Sequence, residues 1–122
     1  MKVVKIEYPT ALSKIKDIRN DNIDVFVELE DGTEYVVVVS TPQNFNWYMD
    51  KESIDFFCGV PSIIVRELTK ETIEEAIHAY ASDEAYWLKY YHLSGLIDTK
   101  TLDQFVKRNK VDNDEIMSIT EG

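Results

Sequence analysis

Ile23-Asp24-Val25-Phe26-Val27-Glu28-Leu29-Glu30-Asp31-Gly32-Thr33-Glu34-Tyr35-Val36-Val37-Val38-Val39 is the stretch whose reading decides the fold. Apolar residues alternate on both sides of an Asp-Gly pair, and Gly tolerates the positive φ that a tight hairpin turn demands. Two registers are open. A two-residue Asp31-Gly32 loop pairs Glu30 with Thr33 and sets Glu34 opposite Leu29. A three-residue loop with a bulge at Gly32 pairs Leu29 with Thr33. The second gathers Ile23, Val25, Val27, Leu29, Tyr35, Val37 and Val39 on one face, so it is preferred. It also places Glu28 opposite Glu34, a like-charge pair that a solvated face tolerates. The stretch 23–40 holds five acids and no base, so the hairpin offers a scaffold and an acidic surface rather than chemistry.

Working outward, Thr41-Pro42 ends the hairpin, because proline cannot donate to a central ladder. Upstream, Leu12, Ile15 and Ile18 repeat every three residues, which suits a helical turn, but Ile15 to Ile18 also suits a strand joined to Ile23 by the turn cluster Asn20-Asp21-Asn22, and the strand is preferred. Downstream, residues 43–57 are rich in aromatics and suit a short helix with Phe45, Tyr48 and Met49 on one side. Val60 to Leu68 reads as another strand. Thr69 then caps a helix in which Ile73, Ala76, Ile77 and Tyr80 form the buried stripe, with Leu68 stapled against Ile73. Ser82-Asp83 offers a second cap, so this helix either breaks or bends before Glu84 to His92, and Ser94-Gly95 stops it. Thr101-Leu102-Asp103-Gln104 fits a capping box for a last helix to about Asn109, with Leu102, Phe105 and Val106 inward. The acidic tail 112–122 is expected either to fray or to dock in part through Ile116, Met117 and Ile119.

Strands first and helices later, without βαβ alternation, predict an α+β fold. The expected architecture is an antiparallel sheet of about three to five strands with two or three mainly C-terminal helices on one face. At 122 residues the chain reads as one domain, 1–122, able to bury an ordinary core without metals or disulfides.

Charge and composition remove several function classes. The net charge is −10, and phosphate backbones and anionic lipid surfaces both require clustered Lys and Arg, so neither nucleic acid nor membrane is an expected partner. A single cysteine allows no internal disulfide, and the N-terminus is too densely charged for a signal peptide. The expected location is therefore cytoplasmic. Four glycines, at 32, 59, 95 and 122, cannot compose GxGxxG or a Walker A loop. No cofactor, metal site or catalytic set is expected.

Three constellations bear on chemistry. Cys58, in the turn-like Phe57-Cys58-Gly59-Val60-Pro61, would be a nucleophile beside His78 or His92, but nothing places either histidine there, and its flanks suit core packing. Glu74 and Glu75 stand four and three residues before His78, yet a carboxylate-bridged metal site needs a second such motif, and Lys89 and Leu88 occupy the matching offsets before His92. Asp112-Asn113-Asp114-Glu115 lacks the glycine and distal Glu of a calcium loop.

The aromatic run Tyr80, Tyr86, Trp87, Tyr90, Tyr91 and His92 is different in kind. Tyr86, Tyr90 and Leu93 make one helical stripe, and Trp87 with Tyr91 a neighbouring one. Together these are wider than one core contact needs. Either both stripes are core, or they are the anchors of an interface, where Tyr and Trp are enriched. Glu71, Glu74, Glu75, Asp83 and Glu84 lie just upstream and would give it an acidic rim. The candidate partner-binding residues are Glu71, Glu74, Glu75, Trp87, Tyr90 and Tyr91. Bases concentrate elsewhere, with five in residues 2–19 and four in 100–110, an asymmetry that would also support a homodimer.

In size and acidity the chain is similar to immunity proteins that neutralise basic toxins. That likeness is one of composition and carries no motif. The expectation is a protein-binding module, an inhibitor or immunity-like protein for a basic partner, and not an enzyme. The alternatives are a small hydrolase using Cys58 and His78 and a homodimeric accessory domain.

Overall fold

The computed structural model describes residues 1–108. They form a four-stranded mixed sheet, mostly antiparallel, with three helices placed mainly C-terminally, an α+β fold. The strands are β1 (Val3–Glu7), β2 (Asn22–Leu29), β3 (Glu34–Ser40) and β4 (Ile63–Ile64), and the sheet runs in that order. The helices are α1 (Pro42–Glu52), α2 (Lys70–Leu96) and α3 (residues 99–108). The chain divides into two compact units, 1–92 and a second that begins at Leu93. The tail 112–122 and the Asp112 to Glu115 stretch lie outside the described residues.

The hairpin adopts the three-residue register. Glu28 faces Glu34 and Val27 faces Tyr35. The Gly32 amide donates to the Leu29 carbonyl and the Leu29 amide to the Thr33 carbonyl, both at 2.9 Å. Gly32 takes φ +85° as the bulge requires. The Asp31 carboxylate accepts from the Thr33 hydroxyl at 2.6 Å and its amide at 3.0 Å, and these bonds hold Asp31 below the usual carboxylate range.

Period-two alternation then sends Ile23, Val25, Val27, Leu29, Tyr35, Val37 and Val39 into the core, as that register demands. Ile63, Val65, Leu68 and the α2 residues Ile73, Ile77, Ala81, Ala85 and Leu88 complete the same buried cluster.

Three expectations are corrected. Ile15 to Ile18 is not a strand: a 3-10 turn at Leu12–Lys14 precedes it, and β1 at Val3–Glu7 pairs with β2 instead. Leu12 and Ile15 still pack on the core, but as anchors of a loop, which explains their helical spacing. The Val60 to Leu68 strand shrinks to Ile63–Ile64, and it lies parallel to β3, because α1 crosses between them and returns the chain in the same direction. In the second unit the cap is Asp98, not Thr101. The Asp98 carboxylate accepts the Thr101 amide at 2.7 Å, so the helix starts earlier than the capping-box pattern suggested. Leu102, Phe105 and Val106 are exposed rather than inward.

Helix caps in the first unit follow the sequence. Thr41 caps α1 with Pro42 at its first position, and the Thr41 hydroxyl also donates to the Arg19 carbonyl at 2.7 Å. Asn44, buried in the first turn, is bonded to Asn20 and Asn22, tying the loop before β2 to α1. Thr69 caps α2 through the Thr72 amide, and Leu68 and Ile73 are both buried beside that cap.

Helix α2 is two helices joined by a break. Ser82 is extended, and Asp83, Glu84 and Ala85 all lie in the left-handed region at φ 53°, 57° and 60°. Non-glycine residues pay about 1–2 kcal/mol each for that conformation. Helix formation resumes after the break and runs to Leu96, past Ser94-Gly95.

Candidate functional site

The break in α2 sets which aromatic residues face outward. After it, Ala85 and Leu88 are buried in the core. Tyr91 lies on the same side: its hydroxyl accepts the Val38 amide at 2.9 Å and lies 3.5 Å from the Pro61 carbonyl, to which it donates. That bond satisfies an amide on the edge of β3 which the two-residue β4 does not reach. His92 sets its ring edge-on to Tyr35 at 5.6 Å. Tyr91 therefore serves the fold, and the structure places it apart from the other aromatic candidates.

Tyr86, Trp87 and Tyr90 occupy the opposite side, with 53, 52 and 60% of their surface exposed. Their rings touch one another. Tyr86 and Trp87 meet edge-to-face at 5.2 Å, Trp87 and Tyr90 at 5.9 Å, and Tyr86 stacks on Tyr90 at 6.5 Å. The exposed cluster thus takes members from both sequence stripes. Mutual ring contact narrows the rotamers of all three side chains, which lowers the entropy lost when a partner covers them.

The acidic candidates sit in the first half of α2. Glu71 and Glu75 are exposed and Glu74 is half-buried. Glu74 faces Tyr8, whose hydroxyl is buried and forms no well-aligned hydrogen bond. Burial first, and the Glu74 carboxylate second, push the Tyr8 phenol up to about 12. Among the described residues no hydrogen bond or ion pair joins Glu71, Glu74 or Glu75 to the aromatic trio.

A second exposed area lies on the outer face of the sheet and was not singled out in the sequence. Phe26 and Val36 pair across β2 and β3 and are both exposed. With Lys5, Glu7, Glu28 and Glu34 they line a shallow depression of about 330 Å³. Lys5 and Glu7 are ion-paired at 2.8 Å. The signal was available once the register was chosen, since Phe26 falls on the polar side of an otherwise regular alternation.

Cys58 is exposed, which corrects the expectation of core packing, because the 53–61 segment that carries it is a surface loop. His78 is exposed on α2. Among the described residues no hydrogen bond links Cys58 to a histidine or carboxylate, and no three His, Cys, Asp or Glu side chains are grouped to hold a metal ion. No described helix is long and apolar enough to cross a membrane. No protein family, curated protein or solved structure matches the chain.

Proposed function

We propose that this protein is a protein-binding module whose anchor is the Tyr86, Trp87 and Tyr90 cluster, and that its partner is basic. The observation that carries the reading is the exposure of three mutually packed aromatic rings on a helix whose other side is already satisfied by the core. Large aromatic side chains held in place are the residues that dominate binding energy when a partner desolvates them. Among the described residues the only cation over an aromatic ring is Lys51, on Trp47 and Tyr48, and the exposed half of the trio's surface can receive a partner's Lys or Arg. The net charge of −10 supports attraction of a basic surface and faster encounter with it. An inhibitor or immunity-like role is the specific form of this reading.

A photo-crosslinking amino acid at position 87, with position 16 as the control, tests it in the source cell. One discrete adduct to a basic protein is expected at 87 alone. It should weaken on Tyr86→Ala or Tyr90→Ala, and when ionic strength rises from about 0.05 M to about 0.5 M. Equal, diffuse labelling from both positions would refute the reading. The hydrolase alternative has less support, since among the described residues no hydrogen bond joins the exposed Cys58 to a base.

A further inference from the structure

The break in α2 is a local and global conflict in one place. The sequence through it, Ala79-Tyr80-Ala81-Ser82-Asp83-Glu84-Ala85-Tyr86, contains neither Gly nor Pro. Ser82-Asp83 offers a cap at which a helix can break, but Ala and Glu favour helix on either side, and none of these residues demands three consecutive left-handed conformations. At the break the Met1 ammonium donates to the Ala81 carbonyl at 2.9 Å, and beyond it the following segment docks. Ala85 and Leu88 enter the core, Tyr91 bonds the Val38 amide, and His92 packs on Tyr35.

Tyr91 and His92 meet β3 through Val38 and Tyr35, Tyr91 also reaches the Pro61 carbonyl, and Leu88 enters the common core; a second copy of the chain presents an identical receptor. We propose that α2 straightens at Asp83–Ala85 and that residues 86–92 of two copies exchange, giving a domain-swapped dimer. The exchanged dimer keeps the docking contacts of Leu88, Tyr91 and His92 and releases the left-handed strain at both hinges, while losing the translational freedom of one molecule. The occupant of each receptor is residues 86–92 of the other copy, because Leu88, Tyr91 and His92 already match it. Charge opposes the pairing, since two chains of −10 repel, so the dimer strengthens with salt. The inference stands apart from the binding role of the aromatic trio, whose rings are not among the docking contacts.

Light scattering coupled to size exclusion on the full chain, across concentrations and at low and high salt, reads the equilibrium. Glycines at the exposed hinge positions, Asp83→Gly with Glu84→Gly, adopt the left-handed region freely. They should weaken dimerisation by roughly tenfold or more, whereas Asp83→Ala with Glu84→Ala should strengthen it by about as much. In a dimer mixed from isotope-labelled and unlabelled chains, magnetisation transfer between the Tyr35 and His92 rings should be intermolecular. Trp87→Ala should leave the equilibrium unchanged, which separates an exchange from a dimer through the trio. A chain that stays monomeric at millimolar concentration even with both alanines overturns the proposal, as does a dimer in which the Tyr35–His92 contact is only intramolecular.

Discussion

At position 32 the backbone must turn with φ +85°, and a Cβ there would meet no atom within 4 Å. Gly32→Ala therefore isolates a conformational cost from a steric one: it should lower stability by about 1–2 kcal/mol in denaturant melts while leaving the register intact. Tyr8 makes the opposite case. Its hydroxyl is buried beside the Glu74 carboxylate without a well-formed hydrogen bond, so Tyr8→Phe removes a desolvated group and should stabilise the protein by up to about 1 kcal/mol at neutral pH. The phenol's folded value, raised from 10.0 to about 12, gives that residue a pH signature. Its contribution is intact below pH 10 and is lost as pH rises from 10 towards 12, because the unfolded state loses its proton first. The Tyr8→Phe protein should lack that alkaline loss in melts run across the same window. Gly32 was legible in the sequence because turn chemistry is local. The Tyr8 environment was not, since it depends on where α2 lies relative to β1.

Among the elements, the hairpin and the start of α2 follow from local rules: alternation with an Asp-Gly turn, and a threonine cap with a staple. β1 escaped notice because Val3 to Glu7 is short and half-exposed, and its pairing with β2 is a long-range choice. The two-residue β4 likewise exists only because β3 is there to receive it. The second half of α2 shows how a break redirects a helix. Tyr86, Trp87, Leu88, Tyr90 and Tyr91 span more than one face in any helical register, and only the turn at residues 83–85 decides that Leu88 and Tyr91 go in. Leu88→Ala should cost about 2–5 kcal/mol, whereas Trp87→Ala, one residue earlier, should change stability by no more than about 0.5 kcal/mol. Thermal melts of the two variants measure that contrast directly.

For the molecule as a whole, the balance of charge sets the expected response to solution conditions. A chain at −10 repels itself in the compact state, so its melting temperature should rise with salt at neutral pH, the reverse of what a protein held by surface ion pairs would show. The sequence pointed to the acidic and aromatic candidates, but not to which of the aromatic ones are open, because exposure is a property of tertiary packing. The bond from the Val38 amide to the Tyr91 hydroxyl has one more consequence. Val38 stands mid-strand between Val37 and Val39, whose pairing partners lie in β2, yet its own proton is held by a helix. In deuterated water its exchange rate therefore reports release of residues 86–92, while its two neighbours report opening of the sheet. Tyr91→Phe should speed exchange at Val38 and leave Val37 and Val39 slow, giving three adjacent amides that separate a local opening from global unfolding.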